Sequence, residues 1–113
     1  VVEAAKAMRQ AGRDDVQFIL VGEGELTDAV QQAIAGLGLE ATCKVYGWMD
    51  PRQAYYASDL LVMPSLYEGF PMAAIEALAT GLPVLRSRTG GAAETIVEGK
   101  TGFCCGTTVS EFV

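Results

Sequence analysis

Residues 59–85 read DLLVMPSLYEGFPMAAIEALATGLPVL, and this stretch decides the fold. Asp59–Met63 is a short apolar run that Pro64 stops, which reads as a buried strand. A loop carrying Glu68 and Gly69 follows. Pro71 suits the opening of a helix, where the N–H that proline lacks has no intrahelical partner anyway. The helix is expected over Met72–Thr80, with Gly81 closing it, and Pro83-Val-Leu85 begins another strand. A strand without polar alternation, then a helix, then a second such strand marks a parallel pair joined by a crossover.

The same alternation extends in both directions. Val2–Ala11 carries Val2, Ala5, Met8 and Arg9 at helical spacing and ends at Gly12. Val16–Val21 is a strand closed by Gly22. Glu25–Leu37 puts Leu26, Ala29, Val30, Ala33, Ile34 and Leu37 on one helical face before Gly38. Cys43–Tyr46 is a strand stopped at Gly47, and Asp50 caps a helix that Pro51 opens and that runs to about Ser58. Gly91–Val97 reads as a short helix and Thr101–Cys105 as the last strand. The fold class is α/β: a doubly wound parallel sheet of about five strands with helices on both faces.

Composition bounds the function. The 113 residues fit a single domain, at roughly 100–200 residues each. Fourteen acidic against eight basic residues give a net charge of −6, which argues against a nucleic-acid binder. Histidine is absent, so mechanisms and metal sites that need it are excluded within this chain. Cys43, Cys104 and Cys105 form no C-x-x-C spacing and read as reduced, mostly buried thiols of a cytosol-like compartment. No apolar run approaches the ~20 residues of a membrane helix, and no signal peptide is visible.

In open parallel sheets, ligands bind beyond the carboxyl ends of the strands. Those ends are Gly22–Glu25, Gly47–Met49, Pro64–Phe70 and Ser87–Gly91. The helix opening at Pro71 aims the amides of Met72 and Ala73, and a positive dipole end, at this crevice, which suits a phosphate. Glu76 lies inside that helix among alanines, leucine and isoleucine. It either lines a solvated stripe or meets the two hydroxyls of a ribose. Glu68 is either a solvated loop carboxylate or a ligand contact. Gly22 and Gly24 precede Thr27 in a G-x-G-x-x-T run, which is not the dinucleotide fingerprint. They read as a tight turn that admits close approach of a ligand or a partner domain. Trp48 is either an edge-of-core aromatic or a stacking platform. Arg86 and Arg88 read as solvent-exposed charges rather than phosphate contacts.

Glu68-Gly-Phe-Pro-Met-Ala-Ala-Ile-Glu76 resembles the E-x7-E signature of GT-B glycosyltransferases, especially the large retaining family 4. Val21–Gly24, Val45–Gly47, Tyr55–Ser65, Ala77–Val84, Thr89–Glu94 and Glu98–Phe103 are similar to further stretches of that family, in the same order. The resemblance implies the Rossmann-like, donor-binding C-terminal domain of an enzyme that transfers a sugar from a nucleotide-diphosphate sugar, with retention. It implies that Glu68, the catalytic-site residue, faces hydroxyls of the donor sugar. Gly69 and Phe70 lie against sugar and diphosphate through their backbones, with the amides of Met72 and Ala73 beside them. Glu76 takes the ribose, Trp48 borders the base, and Gly22 belongs to the glycine turn of the donor site. Glu94 is assigned to supporting its own helix. No metal and no resident cofactor is implied, and the parent is expected in the cytoplasm, with a membrane-associated acceptor left open. The epimerase branch of the same architecture uses acid and base residues not evident here.

Against the family pattern, the acceptor-binding N-terminal domain, the first strand and its basic residues are missing, and the first residue is Val1 rather than Met. The chain is therefore expected to be a piece that does not catalyse transfer by itself. The alternative is a non-catalytic α/β module that binds nucleotide without chemistry. A missing central strand leaves two courses: Val16–Val21 pairs directly with Asp59–Met63, the favoured one, or another copy fills the gap in a swapped dimer.

Overall fold

Each expected strand forms, and every strand pairing is parallel, in the computed structural model, which describes residues 1–113. The chain divides into two units, Val1–Pro51 with Val113, and Arg52–Phe112.

The first unit contains α1 (Val2–Gln10), β1 (Phe18–Val21), α2 (Thr27–Gly36) and β2 (Cys43–Tyr46). β1 pairs with β2 in register from Phe18 opposite Cys43 to Val21 opposite Tyr46. Its core is Ala5, Ile34, Leu39 and Cys43, with Phe18, Leu20, Val30 and Val45 packed around them. The apolar stripe of α2 is narrower than its sequence suggested. Val30, Ile34 and Leu37 turn inward, whereas Ala29 and Ala33 are exposed and Leu26 lies before the helix, 72% exposed. The face that packs is thus the i, i+4, i+7 row alone.

The second unit holds α3 (Pro51–Tyr56) from Arg52 onward, then β3 (Leu61–Met63), α4 (Met72–Ala79), β4 (Val84–Ser87), α5 (Ala92–Thr95), β5 (Gly102–Cys105) and α6 (Val109–Phe112). Its sheet has the order β3-β4-β5. The core gathers Tyr55, Ala74, Ala77, Leu82, Val84 and Ile96. Ala74 and Ala77 are fully buried, so α4 meets the core through its smallest side chains. The single turn of α6 was not anticipated. It carries one half of a capping box: Thr108 N–H donates to the Glu111 carboxylate three residues on, at 3.3 Å, and the Thr108 hydroxyl donates to the same oxygen. No helix is long and apolar enough to cross a membrane.

Within the first unit the ladder partner of β1 is β2, and within the second that of β3 is β4. One expectation is corrected: Arg86 is not a surface charge. It is 1% exposed, whereas Arg88 is exposed and donates to the Cys104 carbonyl at 3.0 Å. β4 is the central strand of its sheet, and the side chain of Arg86 reaches back under the segment that leaves it.

Candidate functional site

The loop between β3 and α4 is built from its base upward. Ser87, buried at the end of β4, donates through Oγ to the Ser65 carbonyl and faces that of Met63 at 3.4 Å. This ties the start of the loop to the neighbouring strand. Ser65 Oγ in turn donates to Glu68 Oε1 at 2.8 Å, which holds the half-buried Glu68 side chain over its own loop. The far side is closed by Gly90 and Gly91. A Cβ on Gly90 would run into the Glu68 carbonyl, and one on Gly91 would sit 2.7 Å from the Gly69 carbonyl and 3.3 Å from the Phe70 ring. Gly91 also takes φ +69° as it caps α5, a conformation that favours glycine. The pair of glycines lets two loops touch backbone to backbone.

α4 begins at Pro71, whose carbonyl accepts the Ala74 N–H at 3.2 Å. The amides of Met72 and Ala73 are earlier in the helix than any intrahelical acceptor can reach. One turn further on, Glu76 is exposed, and its Oε2 accepts the Tyr55 hydroxyl at 3.1 Å. Tyr55 is 8% exposed in the core. Its phenol is held above the usual tyrosine value, first by burial and then by its hydrogen bond to the Glu76 carboxylate. The second unit therefore brings Glu68, Gly69, Phe70, Met72, Ala73 and Glu76 onto one loop and the helix it feeds. Each carboxylate has one oxygen engaged by a hydroxyl donor and a second that can accept. Such an arrangement can bind a molecule carrying both negative charge and several hydroxyls. Leu66, Tyr67, Phe70 and Met72 stand exposed along the loop and the helix start.

The other two expected residues lie in the first unit. Gly22 ends β1 with φ +131°, and its N–H bonds the Tyr46 carbonyl at 3.2 Å. It edges a shallow groove with Val21, Gly24, Leu26 and Val45. Trp48 follows β2 and is 83% exposed, so it is no part of a core. Glu23 joins these two strand ends: its Oε1 accepts the Trp48 N–H at 3.1 Å, and a Cβ on Gly47 would stand only 2.6 Å from that oxygen. Glu94, on α5, is exposed. No three His, Cys, Asp or Glu side chains converge on a point that could hold a metal.

Glu23, Ser65 and Ser87 lie within the strand ends that the sequence picks out but carry no role there, and Tyr55 carries none either. Ser65 stands three residues before Glu68, a spacing at which a hydroxyl and a carboxylate commonly meet, so that pair carried a usable signal. Tyr55 and Glu76 are twenty-one residues apart and Ser87 and Ser65 twenty-two, separations with no local signature.

A family described as "Glycosyl transferases group 1" matches residues 1–112. Among curated proteins, the chain is 39% identical over 79 residues to the UDP-Gal:alpha-D-GlcNAc-diphosphoundecaprenol alpha-1,3-galactosyltransferase of Escherichia coli, covering 68% of this chain and 20% of that one. It is 31% identical over 114 residues to the lipopolysaccharide 1,2-N-acetylglucosaminetransferase of Salmonella typhimurium, covering 91% and 30%. Among solved structures, Anabaena HepE in complex with UDP-glucose superposes with a TM-score of 0.84 at 30% identity, covering 98% of this chain and 31% of that one. The chain thus spans a third or less of the length of these relatives. The fold agrees with the Rossmann-like parallel α/β domain of GT-B glycosyltransferases.

Proposed function

The chain belongs to the glycosyl transferases group 1 family, and from that premise we propose that it is the nucleotide-sugar-binding part of a retaining glycosyltransferase. One observation carries the reading: along the chain the first-turn amides of α4 come between two carboxylates, Glu68 and Glu76, each already oriented by a hydroxyl donor. The amides of Met72 and Ala73, with the helix dipole, would hold the diphosphate and stabilise the charge that develops as it leaves. Glu76, braced by Tyr55, would accept the ribose hydroxyls. Glu68, braced by Ser65, would accept hydroxyls of the donor sugar, while Gly69 and Phe70 follow sugar and diphosphate with their backbones. Gly22 and Trp48 would serve the turn and the base. The UDP-glucose bound by HepE supports a nucleoside-diphosphate sugar as the ligand class. The reading assigns no metal and no resident cofactor. The three free cysteines agree with a reducing, cytoplasmic setting. The 113-residue chain would bind donor without transferring its sugar, since an acceptor-binding domain completes the site in the parent reading.

Calorimetry with UDP tests this. The wild-type chain is expected to bind, and Glu76→Ala to bind about tenfold more weakly or worse, since each hydrogen bond to a carboxylate is worth roughly 1.5–3 kcal/mol. An unchanged affinity in a folded Glu76→Ala chain would remove Glu76 from the ribose role, and no heat of binding with the wild type would remove the donor site itself.

A further inference from the structure

Arg86 is the largest fully buried side chain of the molecule. Its Nη1 donates to Thr95 Oγ1 at 3.0 Å, and its Nη2 donates to Thr89 Oγ1 at 3.1 Å and to the Gly90 carbonyl at 2.8 Å. All three oxygens are neutral. Burying a guanidinium to fill space is costly, and an apolar side chain of similar volume serves stability as well or better. The partners point instead to what the side chain holds. Thr89, Gly90 and Thr95 all belong to the segment that leaves β4 and forms α5. Thr95 Oγ1, which receives Nη1, itself donates to the Gly91 carbonyl at 2.7 Å. The fork therefore grips both ends of the 89–95 segment at once. Gly90, which it grips directly, and Gly91, whose carbonyl Thr95 holds, are the residues that abut the backbone of Glu68, Gly69 and Phe70.

We infer that Arg86 is a positioning residue of the donor site: it locks the Thr89–Gly91 loop, and through that loop it sets the backbone of Glu68–Phe70. It touches no ligand. The inference rests on the donor-site reading above for its consequence, though not for its structural half. A planar fork that meets separate oxygens on a loop and a helix cannot be replaced by the single ammonium of lysine. A binding loop must be held within about half an ångström of its working geometry for the site to act.

The test compares the wild type with Arg86→Lys and Arg86→Met by backbone NMR relaxation, amide exchange and titration with UDP. The order parameters of Gly69, Phe70, Gly90 and Gly91 are expected to fall from near 0.85, as in rigid backbone, toward about 0.6 in both variants. Amide exchange in the β4–β5 ladder is expected to stay within about twofold, which a general loss of stability would not allow. UDP affinity is expected to drop about fivefold or more, with lysine giving no rescue. If Arg86→Met does not fold, Thr89→Val removes one acceptor from the loop and is expected to loosen the same four residues. Order parameters unchanged in folded Arg86→Lys would overturn the inference, as would a rise in exchange spread evenly through the unit. If the wild type binds no UDP, the donor-site reading fails while the relaxation data still decide the role of Arg86.

Discussion

Tyr55 shows how much a single side chain can connect. Its ring is part of the core, while its hydroxyl orients a carboxylate on the face of α4. Because burial and Glu76 raise its folded-state pKa, the native state holds the phenolic proton more tightly than the unfolded chain does. The stability this contributes is fully present below the unfolded tyrosine value near ~10 and is lost as pH rises through the raised folded value. Urea unfolding between about pH 9 and 11 is expected to show a steeper alkaline loss in the wild type than in Tyr55→Phe. At neutral pH, Tyr55→Phe is expected to cost only about 0.5–1 kcal/mol, since water can take the place of the hydroxyl on exposed Glu76. Equal alkaline slopes in the two proteins would show that this phenol does not couple to folding. The Glu76 side chain illustrates what residue-level reading resolves. The sequence left it between a solvated stripe and a ribose partner, and the structure places it in solvent with one oxygen already in use.

At the scale of elements, the loop after β3 takes its shape from its neighbours more than from its own residues. Ser87 supports it from below and Gly90 from the side. Gly90→Ala is expected to push the Glu68 carbonyl away and to weaken UDP binding about tenfold, with stability falling by about 1–3 kcal/mol, the usual cost of overpacking. Gly91→Ala adds roughly 1–2 kcal/mol for its left-handed backbone. Thermal melts paired with titrations check both, and a Gly90→Ala chain that binds as the wild type does would mean that the two loops are not coupled. Element by element, the sequence was legible where punctuation was strong. Gly12, Gly47, Pro51, Pro71 and Gly81 all mark real boundaries within a residue or two. Legibility failed where a tertiary partner decides, as when Arg86 is drawn under the 89–95 segment. The Thr108–Glu111 cap of α6 was readable in Thr108-Val-Ser-Glu111, and only the shortness of the turn hid it.

For the whole molecule, five strands and the parallel sense of every pair were legible from apolar runs separated by helices. Within its own unit, β1 and β3 each pair with the strand that follows in sequence. The site splits. The order of motifs placed Glu68 to Glu76 on one loop and helix, while the hydroxyls that orient the two carboxylates appeared only in three dimensions. Given a nucleotide sugar and an acceptor alcohol, the purified chain is expected to yield no glycoside by mass spectrometry; a transferred product would show that these 113 residues hold a complete active site. An amide-resolved NMR titration with UDP-glucose decides whether the α4 loop is a nucleotide-sugar site. Saturable shifts are expected at Gly69, Phe70, Met72, Ala73 and Glu76, whereas no shifts there, or shifts confined to other residues, would rule the site out.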